Sequence, residues 1–300
     1  MLKKYTTFQI GGPAKYFCVA KNKTELIEAI KIAKKLKFPF FVLGGGSNLL
    51  ISDKGFKGLV IKFGQPLSLY VSKGLEWAVG IPGTIQGAVW SNAGAFKKSM
   101  KDVVREVEVF DTKTGKVKIF ENKDCRFSYR NSIFRKEKNL IVLSVKIKYR
   151  ASEGSESKRL ISSLPFAATR ADEEEDKVLF ASKKNSAKKI KQYLDYRKKT
   201  QPLEFPSAGS IFKNPFGKSA AREGDEDKSS SSAFAAARLI EECGLKGKRI
   251  GDAEISEKHA NFIVNLGGAT TKDVKKLINL TKKSVKKKFK INLEEEIQFL

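Results

Sequence analysis

Residues 41–50 read Phe-Val-Leu-Gly-Gly-Gly-Ser-Asn-Leu-Leu, and no other stretch limits the fold as much. One apolar run, Phe40 to Leu43, enters three glycines, and a second, Leu49 to Ile51, leaves them. Short apolar runs bounded by turn residues read as buried strands. Gly44, Gly45 and Gly46 lack Cβ atoms, so the backbone between the strands can take positive φ and bring consecutive N–H groups close to a ligand. Ser47 and Asn48 add side-chain donors. Such a row of donors suits a phosphate or pyrophosphate, although a plain flexible turn uses the same residues. The stretch is not a P-loop, because no Lys-Ser/Thr follows the glycines, and no G-x-G-x-x-G opens a helix.

The residues before the turn place it. Tyr16 to Ala20 reads as a strand. Asn22 with Glu25 forms a capping box for a helix carrying Leu26, Ile27, Ile30, Ala33 and Leu36, which ends before Pro39. Strand, helix and strand then set the glycines at a strand's carboxyl end, where open α/β sheets bind ligands. Residues 74–88, followed by Asn-Ala-Gly-Ala at 92–95, form a second glycine-rich stretch. There Gly83, Gly87 and Gly94 would let the backbone lie against a large flat ligand, while Thr84, Gln86 and Asn92 present hydrogen-bonding groups. A close helix–sheet contact would use small residues in the same way.

Composition narrows the chemistry. The 300 residues suit two or three modest domains, and 41 % hydrophobic content with 21 phenylalanines supplies their cores. No apolar run approaches a membrane span, and Met1-Leu2-Lys3-Lys4 lacks a signal-peptide core, so a soluble cytoplasmic protein is expected. The three cysteines, Cys18, Cys125 and Cys243, are widely spaced, and His259 is the only histidine. This pattern predicts no disulfide framework, no metal site and no Ser-His-Asp triad. The net charge of +26 permits a polyanion-binding protein. Lysines alternating with apolar residues favour solvated helix faces and attraction of small anions over a specific nucleic-acid site.

Further along, Val107 and Val109, a turn at 111–115, then Val117 and Ile119 read as a hairpin, and Leu140 to Tyr149 reads as a strand. Residues 150–182 turn polar, with an acidic run at 172–176, and read as an insertion or linker. Ser186 can cap a helix carrying Ile190, Tyr193 and Leu194. A serine-rich loop at 217–232 precedes a helix from Phe234 to Cys243, with Gly244 as its C′ residue. Thr270 and Asp273 can cap a helix with Val274, Leu277, Ile278, Val285 and Phe289 on one face and lysines on the other.

The two glycine-rich loops resemble the paired loops of the vanillyl-alcohol-oxidase (PCMH) type of FAD domain. The wording is closer to one group. Phe-Gln-Ile-Gly-Gly-Pro-Ala at 8–14, the turn at 44–48, Gly-Leu-Glu-Trp-Ala-Val-Gly-Ile-Pro-Gly-Thr at 74–84 and Asn-Ala-Gly-Ala at 92–95 resemble the UDP-N-acetylenolpyruvoylglucosamine reductase family. Tyr129-Arg130-Asn131-Ser132 is similar to a family motif whose arginine sits at the active site. Residues 206–215, Pro-Ser-Ala-Gly-Ser-Ile-Phe-Lys-Asn-Pro, resemble the segment that supplies the proton donor, here Ser210. The Leu-x-x-Glu-Ile ending maps the family's active-site glutamate onto Glu296.

The resemblance implies an α+β flavoprotein: FAD-binding parts at 1–63 and 64–150, an insertion and linker helix at 151–201, and an α+β substrate domain at 202–300. It implies noncovalent FAD held by Gly44, Gly45, Gly46, Ser47, Asn48, Pro82, Gly83, Thr84, Gln86, Gly87, Asn92 and Gly94. NADPH is the implied cosubstrate. Arg130, Ser210 and Glu296 would be catalytic, and Tyr129, Lys213 and Asn214 would bind the UDP-sugar. The Gln-Pro and Pro-Ser-Ala-Gly-Ser wording resembles the shorter family type, without the substrate-covering loop, and a monomer is expected. Residues 61–74 are shorter than the family's corresponding passage, while 150–182 and 217–232 are longer. Another FAD enzyme of the same domain class, an inactive or divergent relative and a polyanion-binding protein stand as the alternatives.

Overall fold

The computed structural model describes residues 1–148, 173–215 and 235–300, with the backbone alone for 173–184. Most of the polar insertion read at 150–182, the serine-rich loop at 217–232 and Phe234 lie outside the described residues. The chain divides into two compact units, Met1–Ala20, Lys31–Lys62 and Lys198–Leu300 in one, Lys21–Ile30 and Phe63–Arg197 in the other.

The first unit opens with β1 (Ala14–Val19), β2 (Phe40–Leu43), β3 (Leu49–Leu50) and β4 (Phe56–Lys62). Helix α1 (Lys23–Lys35) connects β1 to β2. Its start is capped as expected: Glu25 N–H donates to Asn22 Oδ1 at 2.9 Å. The reciprocal bond comes from Lys21 N–H to Glu25 Oε2 at 2.8 Å, one residue before the cap. All pairs in the β1-β4-β2 sheet are parallel. The later strand takes the centre because its run Leu59-Val60-Ile61 is apolar on both faces, as a central parallel strand requires. Val60 and Ile61 are fully buried.

The second unit carries the hairpin β5 (Gly94–Ala95) with β6 (Lys98–Ser99) and an antiparallel sheet, β8-β7-β9. Its strands are β7 (Val104–Asp111), β8 (Lys116–Glu121) and β9 (Leu140–Ile147), the hairpin and strand read from the alternation. Helices α2 (Ile85–Ser91), α3 (Met100–Val103) and α4 (Ile133–Lys136) accompany them. Trp77, Val89, Met100, Val107, Val109 and Phe134 share one core. Helix α5 (Glu173–Thr200) starts well before the expected cap. Ser186 therefore lies within the helix, and its hydroxyl donates to Glu76 Oε1 at 2.8 Å. No Gly or Pro interrupts residues 173–186, and the acidic run favours a helix amino end.

The rest of the first unit is a four-stranded antiparallel sheet, β10-β13-β12-β11, with two helices. The strands are β10 (Ser207–Ser210), β11 (Arg249–Ile250), β12 (Ala253–Ile255) and β13 (Phe262–Asn265). Helix α6 (Ala236–Glu242) leads to Gly244 at φ +68°. Helix α7 (Thr271–Phe289) has the expected capping box from Thr270 and Asp273. It buries Val274, Leu277, Ile278 and Val285 in a core shared with Phe8, Ile10 and Leu50. Finally β14 (Gln298–Phe299) pairs in parallel with β3. Parallel and antiparallel sheets with helices make the fold α+β. Among the described residues no helix is long and apolar enough to cross a membrane.

Candidate active site

In the first unit the turn at 44–48 joins β2 to β3. Only Gly46 of its three glycines has positive φ, +65°. A Cβ there would stand 2.1 Å from the Tyr5 carbonyl oxygen, so close backbone approach demands this glycine. The carbonyls of the turn are engaged: Thr7 N–H donates to Gly46 O at 3.2 Å, and Gln298 N–H to Asn48 O at 2.9 Å. None of the five residues donates its backbone N–H to an acceptor among the described residues. The turn thus presents unused donors, which suits an anion.

Asn48 Nδ2 donates to the Glu296 carbonyl at 3.1 Å across 248 positions of sequence. Glu296 N–H donates to Ile211 O at 2.7 Å, Lys213 N–H to Glu294 O at 2.9 Å, and Phe212 bridges Glu295. Three segments far apart in sequence are therefore stitched side by side through their backbones. Ser210 ends β10 opposite Phe262 and is half-buried. Gly209 before it has φ +75°, and among the described residues a Cβ there would meet nothing within 4 Å.

Lys213 Nζ pairs with Glu294 Oε2 at 3.1 Å. Asn214 Oδ1 accepts from Ala236 N–H at 3.1 Å, at the start of α6. Sequence reasoning assigned no role to Asn261, which is buried and clamps Phe212 from both sides: its Oδ1 accepts from Phe212 N–H and its Nδ2 donates to Phe212 O, each at 2.9 Å. The amide stands in for a strand neighbour and fixes the residues after Ser210. His259 Nδ1 accepts from Asn261 N–H at 3.2 Å, and burial holds its pKa below the ordinary value. Among the described residues no group of three or more His, Cys, Asp or Glu could hold a metal.

Lys62 also escaped the sequence reading. It ends β4, its ammonium donates to the Gly44 carbonyl, and burial lowers its pKa. The available signal was a lysine closing an apolar strand at the same sheet edge as the glycines.

In the second unit the polar side chains of the glycine-rich stretch are used by the protein. Thr84 caps α2, its Oγ1 accepting from Gly87 N–H at 3.2 Å. Gln86 is buried; its Oε1 accepts from Gln65 N–H at 3.0 Å and its Nε2 donates to Leu143 O at 3.2 Å. Asn92 ends α2 at φ +47°, with Nδ2 donating to Ser128 O at 2.8 Å and Oδ1 accepting from Lys101 N–H at 2.9 Å. A Cβ on Gly94 would lie 2.5 Å from Lys98 O across the β5–β6 hairpin. Pro82 and Gly87 are exposed, and Gly83 has φ +126°. Residues 67–73, in the passage read as shortened, form a 3₁₀ helix (Leu67–Lys73) ended by Gly74 at φ +102°.

Ser128 and Asn131 exchange backbone hydrogen bonds of 3.0 and 3.1 Å around a two-residue turn, Tyr129 and Arg130. Arg130 has φ +52°, and its guanidinium lies 5.3 Å from the Tyr129 ring centre. The turn is strapped down by three bonds: Asn92 to Ser128 O, Arg135 Nη1 to Arg130 O at 3.1 Å, and Ser132 Oγ to Trp90 O at 2.7 Å. Arg135, unremarked in the sequence, lies over Trp90 at 5.2 Å.

A family model described as UDP-N-acetylenolpyruvoylglucosamine reductase, C-terminal domain, matches residues 201–300. The chain is 39 % identical to the UDP-N-acetylenolpyruvoylglucosamine reductase of Caldicellulosiruptor bescii, over 100 % of this chain and 88 % of that protein. Its counterpart from Caldanaerobacter subterraneus subsp. tengcongensis is 38 % identical over 100 % and 91 %. The crystal structure of UDP-N-acetylenolpyruvylglucosamine reductase (MurB) from Thermus caldophilus is similar with a TM-score of 0.70 and 31 % identity, covering 100 % of this chain and 97 % of that one. Identity of this degree over the whole length, with the same fold, means that the chain belongs to the UDP-N-acetylenolpyruvoylglucosamine reductase family.

Proposed function

We propose that the protein reduces the enolpyruvyl group of UDP-N-acetylglucosamine enolpyruvate to give UDP-N-acetylmuramate, a step of peptidoglycan precursor synthesis, with NADPH as reductant and noncovalent FAD as carrier. The observation that carries this reading is the stitching of residues 44–48, 210–213 and 294–298 through Asn48, Ile211 and Glu296. These are the segments that the family resemblance assigns to cofactor, proton donor and carboxylate.

The residues fit a flavin nucleotide. Unused N–H donors at 44–48 suit its phosphates, and exposed Pro82 and Gly87 with Gly83 leave backbone bare for a flat ring. This assigns residues 1–63 and 64–150 to a PCMH-type FAD domain. Gln86 and Asn92, already bonded at both ends of their amides, would shape the cofactor's surroundings. When bound, FAD supplies a hydride, taken from NADPH, to the β-carbon of the enolpyruvyl group.

The remaining work falls to side chains of the protein. Hydride addition leaves an enolate beside a carboxylate, so the site must hold negative charge and deliver one proton. Arg130 holds the charge; a positive φ kept by three tethers is the kind of strained backbone that functional sites retain. Ser210 gives its hydroxyl proton to the α-carbon, and its half-buried place at the end of β10 leaves it within reach of a substrate. Glu296 orients the enolate system. Tyr129, Lys213 and Asn214 contact the UDP-sugar, with Lys213 exchanging Glu294 for a phosphate.

The test is the absorption spectrum of the purified protein with an NADPH-oxidation assay. A flavin band and NADPH consumption that depends on the enolpyruvyl substrate are expected. A protein that takes up no flavin when supplied with FAD, or that consumes no NADPH with this substrate, would refute the reading.

A further inference from the structure

Lys62 closes the central strand of the parallel sheet, in register with Val19 on one side and Leu43 on the other. Its side chain reaches over the edge where the turn at 44–48 begins, and its ammonium donates to the Gly44 carbonyl. Among the described residues that is its only hydrogen bond, and it has no carboxylate partner. An ammonium carries three donors and a full charge, and one neutral carbonyl answers only part of that demand. The N–H groups of 44–48 beside it are likewise unused. A half-buried cation and a set of idle backbone donors share one edge. Both gain from the same kind of ligand, an anion with several oxygens.

Burial disfavours the charged form of Lys62, since it pulls the pKa of the ammonium down. Lysines with nothing to bind are normally left in water, where their charge is free to be hydrated.

We propose that Lys62 is a further ligand of the phosphate site assigned above to residues 44–48, its ammonium joining their backbone N–H groups in holding a pyrophosphate diester, the group that FAD and a UDP-sugar both carry. The choice of FAD as its source rests on the function proposed above. Lys62 then acts as a cofactor-binding residue that neutralises charge, while the turn supplies directional bonds.

The experiment compares the full-length parent with Lys62→Met and Lys62→Arg, measuring affinities for FAD, riboflavin, inorganic pyrophosphate and UDP-N-acetylglucosamine by titration calorimetry. Losing one charge-assisted contact should weaken FAD by about ten- to a hundredfold in Lys62→Met. Riboflavin, which has no phosphate, should bind as before, pyrophosphate should compete less well, and Lys62→Arg should recover most of the loss. If FAD affinity holds and UDP-N-acetylglucosamine weakens instead, the anion site stands and its ligand is the sugar nucleotide. Equal weakening of FAD and riboflavin would reveal a merely structural lysine and overturn the proposal, as would unchanged affinity for all four ligands. A parent that binds no flavin would sink the flavin reading alone, leaving the pyrophosphate and sugar-nucleotide arms to judge Lys62. Should Lys62→Met fail to fold, Lys62→Gln against Lys62→Arg gives the same contrast.

Discussion

Residues 44–48 and residues 83–94 are both glycine-rich, yet they use their polar groups in opposite ways. In the first, Asn48 bonds to Glu296 far along the sequence, while the backbone donors have no acceptor among the described residues. In the second, Thr84, Gln86 and Asn92 are consumed in fixing a helix start, the backbone at Gln65 and the Arg130 turn. The glycines differ too. Gly46 and Gly94 are required by backbone contacts of the protein, whereas among the described residues a Cβ on Gly87 would meet only Thr84 Oγ1, at 3.3 Å. A glycine-rich motif is therefore not one device. Some of its glycines make the fold possible, and others leave room for something else.

The largest expected effect belongs to the first region's neighbour, Ser210. Ser210→Ala removes the proposed donor with little change in volume, and positioned proton donors contribute ~10²–10⁴-fold. Stopped-flow absorbance should show flavin bleaching by NADPH at the parental rate, and recovery with the enolpyruvyl substrate slowed by that factor. Recovery as fast as the parent's would transfer the acid role to Glu296 or water.

Next comes the contrast between glycines. Gly46→Ala forces a side chain into left-handed backbone, which costs roughly 1–3 kcal/mol before its clash with Tyr5 is counted. Gly87→Ala sits in a helix, where alanine gains roughly 0.5–1 kcal/mol, but its methyl lies 3.3 Å from the Thr84 cap oxygen, which offsets that gain. Chemical denaturation should show a clear loss for Gly46→Ala and little change for Gly87→Ala. FAD titration should show Gly87→Ala binding more weakly at near-parental stability, because the added methyl occupies ligand space. If both glycines behave alike, the distinction between fold and room is wrong.

Asn92→Ala should lower stability by roughly 1–3 kcal/mol, since it removes the donor to Ser128 O and the acceptor of Lys101 N–H and puts an alanine into left-handed backbone at φ +47°. Its kcat should fall through the loosened Arg130 turn while the Kd for FAD changes little. A large change in FAD affinity with kcat intact would instead make Asn92 a direct cofactor ligand.

The smallest effect is that of His259. Burial depresses its folded pKa, so below the unfolded value of 6.5 the unfolded chain binds the proton first and stability falls as pH drops. Denaturation between pH 6.5 and 5 should show this slope in the parent and a flatter one in His259→Gln. An equal slope in both would assign the acid sensitivity to other groups.

Local signals were readable in the sequence wherever the physics is local. The capping residues of α1 and α7, the hairpin of β7 and β8, Gly244 after α6 and the strand–helix–strand entry to the glycine turn all depend on near neighbours. What could not be read were choices made by distant partners. Nothing near Gln86 announces that its amide joins Gln65 to Leu143, and nothing near Asn48 points to Glu296. The early start of α5 was missed because a polar run without Gly or Pro is compatible with both helix and linker. The candidate site was legible as motifs. Its supporting residues, Asn261, Arg135 and Lys62, were not, since each acts through contacts that only tertiary structure creates.

The pairing of β14 with β3 also sets a timetable for synthesis. A ribosome releases residues 49–50 long before residues 298–299, so the β3 edge waits unpaired while most of the chain is made. The hairpin of β7 and β8 has no such delay. A chain released before residue 296 lacks the glutamate, the bond that Asn48 makes to it and the strand beside β3 in a single stroke. Unfinished copies thus lack the proposed active-site carboxylate, and they display an open strand edge by which a protease can tell them from finished ones.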